Sequence, residues 1–263
     1  MPEIASYAPG TFCWVELSTH DSKDAKRFYT GLFGWTSEDS PIGPDKYYTM
    51  LRLRGKDAGA LFEMDSKPQS EGVPPHWQSY VSVANVDESA AKAGELGAKV
   101  LSAPFDVMDV GRMAVVQDPT GATFALWQPR RHQGAGVVNE PGAFCWNELA
   151  TPDDRAAGSF YTGLFGWGTM VQDMGPMKYT TFTNDGRPAG GMYRPAPEQG
   201  DMPPSWTTYF AVADCDASAG QVQELGGAVL TPPSDIPGVG RFAIVADPQG
   251  AVFGIITLSN PTT

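Results

Sequence analysis

The chain has 263 residues, 41% of them hydrophobic, and a formal net charge of −12. That is enough apolar material for more than one packed core, and the acidity repels phosphate backbones, so nucleic acid is not an expected partner. No apolar run reaches membrane-span length and the start, MPEIASYAPG, lacks the basic and apolar regions of a signal peptide, so a cytoplasmic protein without a membrane partner is expected.

In chain order, FCWVEL (Phe12–Leu17) reads as a strand. Ser18, Thr19 and Asp21 then suit a helix N-cap before the amphipathic SKDAKRFYTGLF, which Gly34 ends. KYYTMLRL and GALFEM alternate as strands. YVSVAN begins a second unit, in which Asp87 can cap the helix ESAAKAGELGA. MAVVQD, a DPTG turn and TFALWQ close it as strands. The order in both units is strand, helix, then two or three strands.

After the polar, glycine-bearing segment 130–141 the whole pattern returns. FCWVELSTHDSKDAKRFYTGLFGW (Phe12–Trp35) aligns without a gap to FCWNELATPDDRAAGSFYTGLFGW (Phe144–Trp167), 132 residues on. Lys46-Tyr47 and Lys178-Tyr179 keep that spacing. PPHWQSYVSVANVD and PPSWTTYFAVADCD are 129 apart, as are GRMAVVQDPTGATFAL and GRFAIVADPQGAVFGI. The three lost residues are therefore expected between Lys178 and Pro203. The chain is an internal duplication, with domains at 10–129 and 142–258 and a linker at 130–141.

A strand, a helix ending in FYxxLFGW and a second unit closing with DPxGxxF together resemble the vicinal-oxygen-chelate superfamily, which includes glyoxalase I, bleomycin-resistance proteins and extradiol dioxygenases. The tandem FCWxEL…FYTGLFGW pattern is similar to actinobacterial glyoxalase-like proteins, often labelled hydroxylases, that include a mycobacterial culture-filtrate antigen. The resemblance implies an α+β fold: four βαβββ modules forming two tandem glyoxalase-like domains with cup-shaped mixed sheets. It also implies, for metal-using members, His, Gln or Glu ligands inside each cup. Here the first-strand ligand position falls on Trp14 and Trp146, and an indole N–H cannot ligate a metal. The closing-strand glutamate falls near Ala125 and Gly254, and in the first unit near Glu63 or Tyr193. Gln78 is the one credible ligand, with Thr207 at its place in the second copy. His20, His76 and His132 form no metal-binding pair. The expectation is no metal and no cofactor.

Strand alternation puts Phe12, Trp14 and Glu16 on one face, and Phe144, Trp146 and Glu148 on the same face of the second copy. Cys13, Val15 and Leu17 then pack beneath the helix bearing Phe28 and Leu32. The aromatic, acidic face is expected to line a small-molecule cup. Glu16 and Glu148 are the candidate general bases, because a carboxylate shielded beside an indole has a raised pKa. A purely structural alternative pairs them with Arg112 and Arg241, which recur before an inward-running strand. Trp14 and Trp146 could instead fill the cup, and Trp77 and Trp206 could serve as a rim or lid or, equally, as core packing. Trp35, Trp167, Tyr29 and Tyr161 read as packing residues. Met108, Met113, Met174 and Met177 offer adaptable apolar surface. Cys13 and Cys145 read as buried hydrophobes and Cys215 lies in a strand-to-helix turn; no disulfide or thiolate metal site is expected.

Four functions follow from these residues. The first is metal-independent binding of a small apolar, aromatic or carbonyl compound, as bleomycin-resistance proteins bind a drug without transforming it. The second is a lyase, isomerase or hydroxylase using Glu16 and Glu148. The third is a divergent metal-dependent glyoxalase, and the fourth an interaction protein with closed cups. Tandem copies supply internally the pairing that single-domain members obtain by dimerising, so a monomer or a homodimer is expected.

Overall fold

The computed structural model describes residues 4–70, 72–173, 178–196 and 202–259. Met174 and Met177 lie outside the described residues. No helix among the described residues is long and apolar enough to cross a membrane.

The first half runs β1 (Phe12–Thr19), α1 (Ser22–Phe33), β2 (Thr36–Gly43), β3 (Lys46–Leu53), β4 (Lys56–Glu63), a short α2 (Ser66–Ser70), β5 (His76–Ser82), α3 (Val86–Glu95), β6 (Lys99–Val107), β7 (Gly111–Gln117) and β8 (Thr123–Pro129). The second repeats it with β9 (Phe144–Ala150), α4 (Asp154–Phe165), β10 (Gly168–Asp173), β11 (Lys178–Asn184), β12 (Arg187–Tyr193), β13 (Ser205–Ala211), α5 (Cys215–Glu224), β14 (Ala228–Ile236), β15 (Gly240–Ala246) and β16 (Val252–Leu258). Each half is one eight-stranded mixed sheet, ordered β2-β3-β4-β1-β5-β8-β7-β6 in the first and equivalently in the second. β1 runs parallel to β4 and antiparallel to β5, and β5 runs parallel to β8. Four βαβββ modules thus build two α+β domains. Every module has three strands after its helix. The first strand after α1, β2 with sequence TSEDSPIG, is exposed along its whole length, so no buried face imposes an alternation on it.

Helix caps follow the sequence with one correction. Asp21 accepts from the backbone N–H groups of Lys23 and Asp24 at 3.0 Å each, and Gly34 closes α1 at φ 68°, a left-handed conformation that suits glycine. The cap of α3 is Asn85, not Asp87: its Oδ1 accepts from the N–H groups of Asp87 and Glu88. The Asp87 carboxylate instead holds Arg112 at 2.8 and 2.9 Å.

The repeated FYTGLFGW proves to be a reciprocal clasp between the domains. Tyr29 OH donates to Asp247 Oδ2 at 3.1 Å and Tyr161 OH to Asp118 Oδ2 at 2.9 Å, each aspartate being the first residue of the other domain's DPxG turn. Trp35 Nε1 donates to the Gly142 carbonyl at 2.7 Å, and Trp167 Nε1 to that of Gly10 at 2.8 Å. Both indoles also pack over their own helix, Trp35 on Phe33 and Trp167 on Phe165, with ring centroids 4.7 and 4.8 Å apart. Gly31 and Gly163 leave room for Leu225 and Leu96 of the opposite domain, which would stand only 3.0 and 3.2 Å from an added Cβ. Between the sheets, Ser79 Oγ donates to Asn147 Oδ1 at 2.7 Å.

Strand pairing corrects the register of the duplication. Tyr48 stands opposite Phe62, and Tyr179 opposite Tyr193. Tyr179 therefore answers Tyr48 rather than Tyr47. One of the three lost residues belongs to the β10–β11 hairpin ahead of Lys178, and two lie between β12 and β13.

Candidate functional site

In each domain one sheet face meets the other domain, and the opposite face is the inner side of the cup that the resemblance implies. On β1, Trp14 and Glu16 point into it. Their cross-strand partners on β5 are Tyr80 and Gln78, which share the face because directly opposed residues point the same way. In the second domain Trp146 and Glu148 are opposed to Tyr209 and Thr207. Phe12 departs from the expected alternation. A β-bulge between Phe12 and Trp14 turns it out of the cup and into the domain interface, where its ring meets Trp167 and Trp206 with centroids 5.9 and 5.0 Å apart. The same bulge precedes Trp146 and leaves Phe144 buried outside the alternation.

Each glutamate anchors a hydrogen-bonded aromatic network. Tyr80 OH donates to Glu16 Oε1 at 2.8 Å and Tyr209 OH to Glu148 Oε1 at 2.8 Å. A second tyrosine, Tyr48 or Tyr179, stands near enough to each carboxylate to help stabilise its charged form. In the second cup the Tyr179 hydroxyl accepts from Trp146 Nε1 at 2.9 Å. The order Trp–Tyr–Glu–Tyr is the same in both cups. Both glutamates are ringed by protein yet keep some solvent contact, as a side chain lining a concavity does. Burial raises both carboxyl pKa values, and the two tyrosine hydroxyls partly oppose the rise by stabilising the charged form.

That direction has a consequence for stability. The folded protein holds these two protons to higher pH than the unfolded chain, so their contribution weakens as pH rises from the ordinary glutamate range through the raised folded value. Urea titrations from pH 4 to 7 should therefore show wild type losing stability relative to the Glu16→Gln/Glu148→Gln double variant as pH increases. A difference that grows with the opposite sign would mean that the tyrosine bonds outweigh burial.

The other expected site residues divide by position. Gln78, buried beside Glu16, donates weakly to the Ser79 and Thr123 carbonyls at 3.3 and 3.4 Å; Thr207 sits half-buried beside Glu148. Trp77 and Trp206 form no rim. They are buried at the domain interface, donating to Tyr29 OH at 3.0 Å and Tyr161 OH at 2.7 Å. Arg112 and Arg241 do not reach the glutamates: Arg112 is held by Asp87 and Asp106, and Arg241 by Asp216 and Asp235. The ion pair expected between these arginines and the glutamates is replaced by the tyrosine bonds. Glu63 leaves the cup to accept from Ser22 N and Oγ at the start of α1. Met113 stands on the cup face opposite Trp127, whereas Met108 is exposed in the β6–β7 turn.

At the closing-strand positions, Ala125 and Gly254 are small, and a Cβ on Gly254 would overlap the Tyr209 ring. On β12, a Cβ on Gly191 would overlap the Tyr179 hydroxyl. In the second cup tyrosine atoms thus stand where a side chain at either glycine would begin, whereas Ala60 and Ala125 of the first cup already carry a Cβ. His20 Nε2 lies 3.1 Å from the Val73 carbonyl, His76 Nδ1 lies 2.8 Å from that of Pro74, and His132 packs on Trp14. Among the described residues, no group of three or more His, Cys, Asp and Glu side chains is placed to hold a metal. A depression of about 520 Å³ opens one residue row outward of Glu16, at the rim of the first cup, between Ser18, Lys46, Phe62 and His76. Another, of about 310 Å³, lies at the domain junction beside Leu32, Gly142 and Gln221.

The tyrosines were the residues missed from sequence. Tyr80 and Tyr209 do recur 129 residues apart, two positions after Gln78 and Thr207. Their meaning depends on cross-strand pairing, which spacing along one strand does not reveal.

Comparison with known proteins agrees with this architecture. Residues 133–255 match the family described as Glyoxalase/Bleomycin resistance protein/Dioxygenase superfamily, and residues 14–127 match the Glyoxalase-like domain. "Putative glyoxylase CFP32" of Mycobacterium tuberculosis is 41% identical, covering 97% of this chain and 98% of the relative. Anthracycline biosynthesis protein DnrV of Streptomyces peucetius is 33% identical, covering 97% and 96%. The Mn(II)-bound glyoxalase of Novosphingobium aromaticivorans shares the fold with a TM-score of 0.64 at 16% identity, covering 97% of this chain and 86% of that one. Tandem modules, sheet order and full-length similarity all lead to one assignment: the chain belongs to the glyoxalase/bleomycin resistance protein/dioxygenase superfamily.

Proposed function

We propose that this protein binds a small planar aromatic compound bearing carbonyl and hydroxyl groups, without a metal. The observation that carries this is the Trp–Tyr–Glu–Tyr network standing in both cups where a ligand set would be. Such a cup offers flat apolar walls and one carboxylate whose remaining lone pairs can accept a ligand hydroxyl. The relative named for anthracycline biosynthesis supports the ligand class, because anthracyclines are hydroxylated polycyclic quinones. A resident metal does not fit: one carboxylate already bonded by a tyrosine hydroxyl, with an indole beside it, gives too few donors.

A second possibility draws on the raised carboxyl pKa. Glu16 or Glu148 could remove a proton from carbon next to a ligand carbonyl, although no group is placed to support the resulting enolate charge.

The test is tryptophan quenching by 1,4-dihydroxyanthraquinone, run beside metal analysis of the purified chain. Saturable quenching with substoichiometric metal is expected. Stoichiometric manganese, nickel, zinc or iron accompanied by turnover would overturn the proposal. Turnover lost in Glu148→Gln with binding retained would favour the second possibility.

A further inference from the structure

The two cups are not equivalent. At the inner end of the first, His132 from the connecting segment stands edge-on to Trp14, ring centroids 4.4 Å apart, and lies 5.9 Å from Trp127. The segment is stitched in place: Trp127 Nε1 donates to the His132 carbonyl at 3.0 Å, and Ala135 N donates to the Cys13 carbonyl at 2.8 Å. Trp14 is left 3% exposed and Gln78 8%. In the second cup their counterparts, Trp146 and Thr207, are both half-buried. Sheet pairing puts Ile256 where the first cup has Trp127. Phe242 in place of Met113 takes back part of that space.

The polar groups differ as well. Phe62 of the first cup becomes Tyr193, on the same strand and face as Gly191, the residue paired with Glu148. The Tyr193 hydroxyl has no hydrogen-bond partner among the described residues, and it lies close enough to Glu148 for the carboxylate's charge to hold its phenol proton more tightly, after burial. The second cup therefore presents an acceptor, Glu148, next to a hydroxyl that no described residue engages and that can donate.

We propose that the second cup is the working pocket, that it takes a planar aromatic with a hydroxyl beside a carbonyl, and that His132 plugs the first cup. The ligand hydroxyl donates to Glu148, its carbonyl accepts from Tyr193, and its rings lie against Trp146. This rests on the binding function proposed above and assigns it to one site of two. The plug is held by packing, not by its ring nitrogens: His132 Nε2 is buried with no partner among the described residues. Removing the ring therefore breaks no hydrogen bond of Nε2.

The experiment is calorimetric and fluorescence titration of the full chain with 1,4-dihydroxyanthraquinone. Wild type should bind one equivalent. Glu148→Gln should weaken binding about 10-fold or more and Tyr193→Phe about 5-fold, the scale of one lost hydrogen bond, and Trp146→Phe should lose most of the quenching. His132→Gly should raise the stoichiometry to two. Trp127→Ile, which copies the second cup, serves as an independent opening of the first should the glycine variant fold poorly. Two equal sites in wild type, or quenching that survives Trp146→Phe unchanged, would overturn the assignment while leaving the binding function standing. No binding by wild type or by either opened variant would overturn both.

Discussion

Asp118→Ala is expected to lower the stability of the whole protein by about 4 kcal/mol. Asp118 is 3% exposed, and one carboxylate oxygen accepts from the backbone N–H groups of Thr120, Gly121 and Ala122. The other accepts from Tyr161 OH, which accepts in turn from Trp206 Nε1. Truncation leaves buried donors in one domain and a buried hydroxyl in the other without partners, each costing about 1 kcal/mol or more. In a chain of this size that corresponds to a fall of roughly 10 °C in melting temperature. Because the Tyr29–Asp247 bond and both indole bonds still cross the interface, unfolding should stay a single transition for both domains. Asp118→Asn should cost less, since its remaining carbonyl oxygen can still serve the turn. Tryptophan fluorescence and circular dichroism in urea measure both. A loss below about 1 kcal/mol would show that the repeated tyrosine packs without clasping.

Gly254→Glu, which writes a glutamate back into the closing strand, is expected to cost about 4 kcal/mol. The new Cβ would overlap the Tyr209 ring, so either the strand shifts or the tyrosine is expelled. Expulsion also removes the 2.8 Å bond to Glu148 Oε1. Gly254→Glu combined with Tyr209→Gly should recover most of the loss, since the ring's volume becomes available to the carboxylate. Such coupling between the two sites is what a double-mutant cycle in urea reads. Additive losses would mean that the tyrosine does not fill that position, and would reopen the cup to a ligand set.

These two variants probe the features of the chain that were most and least visible in its sequence. The repeat was plain as letters, but its purpose was not. FYTGLFGW looked like the end of a helix, and it is one. Its tyrosine, first glycine and tryptophan also engage the opposite domain, and the tyrosine bonds alone join residues 43 and 218 positions apart. Trp77 and Trp206 were misplaced for a related reason. An aromatic beside prolines suits a rim or an interface equally, and only the docking of the two domains decides between them.

The sequence by itself determined the α+β modules, their duplication and the aromatic and acidic character of the cup strand, because local periodicity and caps act over a few residues. Tertiary structure alone decided what surrounds Glu16 and Glu148. A single bulge removed Phe12 from the cup, and cross-strand pairing brought in four tyrosines instead of two arginines. The same holds for the difference between the cups, which depends on a connecting segment folding back onto one sheet. Strand register and chain return are long-range properties, and a change of one residue in either reverses which side chains face the cup.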